Sequence, residues 1–488
     1  MQALPIAKTL TQEKRKSIAI SSLSKTESIS GLSASEGISR KYIYRQKHKA
    51  KEALDEKFSD KNDDDVLFNL PVSKSWLKQL MISLVLTCHS SYGGVKELLR
   101  DVFDISMSRS TIHNRLQEAA KQAAGINRAQ DFSAIRDGLL DEIFQGSTPV
   151  LAGVDAASTF CYLLECAERR DGDTWAINLL YAKDQGLAPE RFIVDAGTGL
   201  RAGHKEVYDD TPCHGDVFHI QHTCETLANL LSRVGKGTVT QRKKLEAKIQ
   251  AAKDKGVLEA LFAQWKTALQ TQGQAVQLAR DVKTLVQWLS HDILALAGPD
   301  LDQRQMLFDF AVAELLQREP LDADRIRPVR VALENQRDDL LGFAGVLDQK
   351  LATIAMNFKV SLDLVRDVCL LQRKSPACAA YWQRCGQLSA KFAGKFQGVL
   401  DTVVDAMKRT PRASSLVENL NSRLRNYFFL RKQLNSSYLG LLQFFLNHRT
   451  FSRSEIPERI GKSPKRLLTG QSHPHWLELL GFTLFKRA

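Results

Sequence analysis

Apolar residues recur at helical spacing over the first 130 residues. They change to short alternating or continuous apolar runs between Gly138 and Ile220, then return to helical spacing from Gly235 onward. Lys14–Leu23 predicts one helix and Thr26–Glu36 a second. Gly37 breaks the second, and Ser39 caps a third that begins Arg40-Lys41-Tyr42. Helix, glycine turn and capped helix is the spacing of a helix-turn-helix. The run Ser59–Asp65 (SDKNDDD) packs like charges densely enough to predict a solvated linker. Ser73–Tyr92 and Gly93–Phe103 then predict amphipathic helices, and Ser108 caps a further one, Arg109–Ala124.

The strand-like stretch divides cleanly. Gly138–Gln145, Pro149–Ala156 and Thr159–Ala167 predict three strands, the first two joined by a Gly146-Ser147 turn. After a turn at Asp171–Asp173, Thr174–Gln185 predicts a helix, Arg191–Asp195 a fourth strand and Leu200–Tyr208 a helix. Asp216–Ile220 predicts a short fifth strand running into helix Gln221–Arg233. Beyond Gly235 the pattern is almost wholly helical up to Ala406. Val282, Leu285, Val286 and Leu289 fall at i, i+3, i+4 and i+7, and Leu341–Phe358 repeats that spacing. Gly298-Pro299 and Glu319-Pro320 punctuate the region.

Charge changes this picture by pointing to a partner. The 488 residues carry a formal net charge of +13, and it is concentrated at the ends. Residues 1–57 hold 12 Lys/Arg against 6 Asp/Glu, and residues 405–488 hold 15 against 5. Basic ends around a near-neutral body suit a polyanion, because Lys and Arg displace counterions from phosphates. The third N-terminal helix offers Arg40, Lys41, Tyr42, Arg45 and Lys49 to phosphates and base edges. Arg109 and Asn114 do the same on the second helix-turn-helix candidate, and Arg431 and Lys432 near the C-terminus. A charged outer face on a plain helical cap is the alternative for the first unit, and a supporting role for the second.

The eight cysteines are sparse and scattered, which predicts a reduced, cytoplasmic compartment. No apolar core of signal-peptide length opens the chain and no run approaches a membrane span, so no membrane partner is expected. The His214, His219 and His222 cluster between Cys213 and Cys224 lacks a common structural zinc spacing. Gly461-Lys462-Ser463 is not a phosphate-cradling loop, because Ile456 stands where that loop needs glycine.

Three segments carry candidate chemistry: LLDEIF at 139–144, RFIVDAG at 191–197 and SLVENLN at 415–421. Their carboxylates Asp141, Asp195 and Glu418 form the minimum set for a two-metal phosphoryl-transfer site. Asp155, in the strong strand VLAGVDAA, is the alternative first carboxylate. Asp141 is preferred because it leaves room for a hairpin and a third strand before the helix at Thr174. A turn aspartate bonding its own backbone is the plain alternative for either. Asp195 ends an apolar strand and is followed by glycines that permit close backbone approach. Asp216 and His219 form a DxxH, suited to a structural clamp or to a contact near the reacting phosphate. Glu418 sits in a capping-box pattern that begins at Ser415. It also shares a helical stripe with Asn421, Ser422 and Arg425, which makes Asn421 and Arg425 candidates for supporting roles.

The element order, three meandering strands, helix, strand, helix, strand, is that of an RNase H-like α/β core. Together with these motifs the chain resembles bacterial insertion-sequence transposases of the DDE type. Asp141-Glu142-Ile143-Phe144 resembles that family's first-strand segment, and Val194-Asp195-Ala196-Gly197 its second aspartate. Asp216-Val217-Phe218-His219 is similar to the C/DxxH element of hAT and mutator-like superfamilies. Ser414–Arg425 resembles the glutamate helix, and FLNHR at 445–449 and GKSPKRLLTG at 461–470 resemble transposase C-termini.

The resemblance implies a mixed fold: an N-terminal helix-turn-helix region and an RNase H-like core interrupted by a large all-α insertion. The expected domains are a DNA-binding unit at 1–58, a second helical DNA-binding unit at 66–130, the leading half of the core at 131–234, and the insertion at 235–406. The closing half of the core, with the glutamate helix, follows at 407–450, then a basic tail at 451–488. The resemblance further implies two Mg²⁺ (or Mn²⁺) ions held by Asp141, Asp195 and Glu418. The implied substrates are double-stranded DNA at terminal inverted repeats and at a target. A homodimer or higher oligomer in the bacterial cytoplasm, associated with the nucleoid, is implied too. A domesticated, non-catalytic DNA-binding regulator is the alternative function.

Overall fold

The computed structural model describes residues 10–58, 68, 70–412, 415–430 and 434–485, and for Ser415, Leu416 and Glu418 the backbone alone. The acidic linker, Arg431 and Lys432 lie outside the described residues. The chain divides into two compact units at Val72/Ser73.

The first unit is three helices, α1 (Gln12–Ser24), α2 (Ile29–Glu36) and α3 (Arg40–Lys57). Each is capped by a hydroxyl that accepts a backbone N–H: Thr11 from Lys14, Ser28 from Gly31, Ser39 from Tyr42. Gly37 turns the chain between α2 and α3 with φ 62°, a left-handed value that favours glycine. Ile18, Leu32, Ile38, Tyr42 and Ile43 form the core. Tyr42 is therefore a packing residue, with the Arg45 guanidinium 5.3 Å from its ring centre. Arg40, Lys41, Arg45 and Lys49 remain exposed on α3.

The second unit is mixed α/β. It begins with α4 (Lys74–Leu86), α5 (Tyr92–Phe103) and α6 (Arg109–Arg128). Five strands follow: β1 (Asp137–Gln145), β2 (Thr148–Asp155), β3 (Cys161–Cys166), β4 (Arg191–Val194) and β5 (Cys213–Gly215). Helices α7 (Gly172–Asp184) and α8 (Thr198–Val207) connect the later ones. They form one sheet of order β3-β2-β1-β4-β5. The β1–β2 and β2–β3 pairs are antiparallel, whereas β1–β4 and β4–β5 are parallel. The fifth strand corrects an expectation. Asp216–Ile220 is not extended, because Asp216 caps α9 (Val217–Ala251) by accepting the Phe218 N–H at 2.7 Å. The strand is instead the three residues before it.

A long helical insertion follows. It comprises α9, α10 (Lys255–Trp288), α11 (Leu301–Arg318), α12 (Ala323–Asn335), α13 (Arg337–Phe358), α14 (Leu362–Leu371), α15 (Ala379–Ser389) and α16 (Phe396–Lys408). The chain then returns to the sheet with α17 (Ser415–Phe428), α18 (Ser436–His448), α19 (Pro464–Thr469) and α20 (Trp476–Leu479). Among the described residues no helix is long and apolar enough to cross a membrane.

Strand alternation sends side chains to two different cores. Leu139, Ile143, Ala152 and Ile193 join Leu116, Leu420, Leu424 and Leu442 of α6, α17 and α18 on one face. Leu140, Leu151, Phe192 and Val194 join Trp175, Leu179 and Leu200 of α7 and α8 on the other. On that second face Tyr162 occupies a register shift in the β2–β3 pairing and lies over Gly153, where a Cβ would come within 2.4 Å of its ring. The Tyr162 hydroxyl donates to Leu139 O at 3.1 Å, tying β3 to β1. The variant Gly153→Ala should therefore cost roughly 1–3 kcal/mol of overpacking, read as an earlier midpoint in urea denaturation. An unchanged midpoint would show that the ring moves aside freely.

Candidate active site

The register of the parallel strands builds the site. Along β1 and β4, Asp137, Gly138 and Leu139 pair with Arg191, Phe192 and Ile193. Along β4 and β5, Phe192, Ile193 and Val194 pair with Cys213, His214 and Gly215. Continued past their last paired residues, these registers set Asp141 level with Asp195, and Asp195 level with Asp216. The ladder does run on at the second boundary, where the Asp216 N–H donates to Val194 O at 2.8 Å. Alternation puts all three carboxylates on the face shared by Leu139 and Ile193. With neighbouring strands about 4.8 Å apart, they form one row across three strands.

Asp141 is 7% exposed. Its Oδ1 accepts the N–H of Glu142 at 2.8 Å and its Oδ2 accepts Asn421 Nδ2 at 2.8 Å. Burial pushes its carboxyl up to about 6, and repulsion from Asp195 and Asp216 adds to that. The Glu142 N–H and the nearby His219 oppose the rise. Glu142 points to the opposite face, where Trp175 Nε1 donates to its Oε1 at 3.0 Å. Asp195 is half-buried, and its Oδ1 accepts the Gly197 N–H at 2.9 Å as the chain turns into α8. Helix α8 opens pressed against the loop before α7: a Cβ on Gly199 would meet Arg170 O at 1.9 Å. Asp216 is buried, with its Oδ2 3.7 Å from His219 Nε2, and the His219 side chain is 44% exposed.

Helix α17 lies on this same face. Val417, Leu420, Leu424 and Tyr427 anchor it in the core, and the Tyr427 hydroxyl donates to Leu86 O at 2.6 Å. Asn421 is 6% exposed and touches Asp141 directly, while its Oδ1 has no partner among the described residues. Glu418 is one helical turn before Asn421, at the i−3 position of the same stripe. Arg425, one turn after it, is exposed. Among the described residues no three His, Cys, Asp or Glu side chains converge closely enough to hold a metal ion.

Asp155 is elsewhere. It pairs with Gly138, three residues before Asp141 on β1, and its Oδ2 accepts the Ser158 N–H at 2.7 Å and the Ser158 hydroxyl. It closes the β2–β3 turn, and burial raises its carboxyl above the ordinary range. Arg109 and Asn114 lie exposed on α6, which belongs to the same core as the sheet.

The sequence placed Asp216 in a supporting role. The register puts it in the row itself, which was hidden because β5 spans only three residues. No family model matches the chain, and no curated protein is significantly similar to it.

An acid that is neutral more readily in the folded chain than in the unfolded one destabilises the fold when ionised. For Asp141 the folded value of about 6 lies above the ordinary 3.8, so stability is lost as pH rises from about 4 through 6. With divalent ions chelated, Asp141→Asn should melt later than the parent at pH 7.5. The shift corresponds to about 1–3 kcal/mol, a few degrees in a chain of this size. The gap should close near pH 4, where the aspartate is neutral in both states. A pH-independent gap would remove burial of its charge as the cause.

Proposed function

We propose that this chain is a DDE-type DNA transposase, with an RNase H-like core that cleaves and joins strands at the ends of a mobile element. The observation that carries the reading is the row Asp141, Asp195, Asp216 on the sheet face covered by the glutamate-bearing helix α17. A strand order of 3-2-1-4-5, with the first three strands antiparallel, is the order such a core requires. Buried or half-buried carboxylates that repel one another suit hard divalent ions. Asp141, Asp195 and Glu418 would hold two Mg²⁺ or Mn²⁺ ions. When bound, the ions supply activation of a water or 3′-hydroxyl and neutralisation of the leaving oxygen in an in-line displacement.

The chain's own groups set the geometry. Asn421 holds the Asp141 carboxylate in one orientation through its Nδ2–H. Asp216 anchors the first turn of α9 and keeps His219 beside the row. In the N-terminal unit, α2, Gly37 and α3 form a helix-turn-helix, with α3 presenting Arg40, Lys41, Arg45 and Lys49 to a DNA groove. Arg109 and Asn114 of α6 offer a second contact. Both element ends must be handled together, so the working form is a homodimer or larger assembly.

The test is cleavage of a linear duplex carrying the sequences that flank the gene, with Mg²⁺ or Mn²⁺. Asp195→Asn and Glu418→Gln should each abolish nicking while end binding persists. Asn421→Ala should lower it roughly 10–100-fold, as expected for a partner that orients a metal-binding carboxylate. Cleavage retained in either carboxylate variant overturns the assignment. End binding by the native protein without any cleavage leaves a non-catalytic regulator.

A further inference from the structure

A groove of about 680 Å³ lies between α17, the end of α18 and the segment 450–459. Four arginines line it, Arg423, Arg449, Arg453 and Arg459, against one carboxylate, Glu455. Among the described residues none of the four makes a salt bridge. Elsewhere in the unit the buried Arg304 and half-buried Arg412 are held by backbone carbonyls, and other half-buried arginines by carboxylates. Arg191 pairs with Asp137, Arg318 with Asp281 and Glu314, and Arg330 with Glu319 and Glu334.

The groove arginines have few partners, although the Asp155 carboxylate is close enough to act on Arg459. Arg459 donates to Ala157 O at 2.8 Å, and the Arg449 guanidinium lies 5.6 Å from the Phe445 ring centre. Burial holds the Arg423 guanidinium below its ordinary value, with Arg449 close enough to add repulsion. His89, on the α4–α5 turn, is lowered by burial and further by Arg449 and Arg423, so the two arginines act on it together. Crowded basic groups without a counter-charge are costly, and a bound anion removes that cost. Guanidinium forks match phosphate oxygens in shape.

The groove also lies near the carboxylate row. Val154 lines it and pairs with Leu139, two residues before Asp141 on β1. From strand rise and spacing, that places its wall roughly 8 Å from the Asp141 level.

We infer that this groove seats the sugar–phosphate backbone of a DNA strand that runs past the carboxylate row, with Arg423 and Arg449 at its inner end and Arg453 and Arg459 beyond. The inference rests on the DNA-processing reading above and names where the substrate backbone lies. Its four cations, drawn from a helix, a helix end and the segment after it, suit a polymer rather than a single free anion.

The experiment uses the full-length protein carrying Asp195→Asn, so that DNA is bound and not cut. Affinity for an end-sequence duplex is measured by fluorescence anisotropy over a series of salt concentrations. Adding Arg423→Gln and Arg449→Gln should weaken binding by roughly tenfold or more, and lower the log–log salt slope by about 2, near one per phosphate contact. Arg453→Gln, on an exposed side chain, should lower the slope by about 1, and it carries the test if the double variant fails to fold by circular dichroism. Folded variants that keep the parental slope and affinity overturn the groove assignment alone. A parent that binds no DNA overturns the transposase reading and this inference with it. A slope change on RNA but not on DNA assigns the groove to the other polymer and also overturns it.

Discussion

The parallel pairing of β1, β4 and β5 holds three carboxylates at one level of one sheet face, and the rest of the site depends on that spacing. Neighbouring ionised carboxylates repel, and Asp195 and Asp216 both act on Asp141 in this way. Burial is the larger cause, and together they raise its carboxyl to about 6. Asp216 has a structural role, since it caps a 35-residue helix. Asp141 has none comparable: its partners are one backbone N–H and one side-chain amide. Under the proposed function, a bound cation would recover the cost of burying its charge.

The second requirement is that a late helix reach this row across a long detour. The chain leaves the sheet at Val217 and is back beside it at Arg412, and the two ends are bonded: the Val217 N–H donates to Arg412 O at 3.0 Å. The Arg412 guanidinium in turn donates to Leu294 O, at the base of the insertion. Arg304, 1% exposed, gathers the same loop by donating to the carbonyls of Ile293, Ala295, Leu296 and Pro299. These carbonyls lie at the end of a π-helical turn and in the loop after it, where the Arg304 side chain satisfies them. Burial lowers Arg304 to about 10, which still leaves it charged at neutral pH. Two arginines thus close the insertion at its root, so its length does not loosen α17. Asn447 of α18 completes the seat by pairing both ways with the backbone of Cys161 on the edge strand β3.

Much of this was legible because the sheet strands have strong, distinct patterns. Gly138–Gln145, Pro149–Ala156 and Arg191–Asp195 differ from β1, β2 and β4 by a residue or so at an end. β5 was misplaced because DVFHI reads as strand by composition, and only the cap at Asp216 makes it helical. Tyr42 looked like a groove reader because it follows Arg40 and Lys41, but helical phase turns it inward. The arginine groove was invisible for a different reason. Arg423, Arg449, Arg453 and Arg459 come from a helix, a helix end and an irregular segment, and nothing in their spacing predicts that they share a cavity.

That groove also changes the meaning of the basic C-terminal region. From the sequence, residues 405–488, with 15 Lys/Arg against 5 Asp/Glu, end in what reads as a basic tail from 451 onward. Much of it is instead built into the core. Trp476 is buried with its ring 4.9 Å from Phe445, Leu477 and Leu480 join the same cluster, and Gln79 donates to Thr483 O at 2.9 Å. A charge on a loose tail is screened and free to reorient, whereas an arginine on a packed segment stays aimed. The apolar anchors at Phe445, Trp476 and Leu480 and the cations at Arg449, Arg453 and Arg459 therefore act together. The first set fixes the segment against the sheet, and the second gains its positional meaning from that fixation.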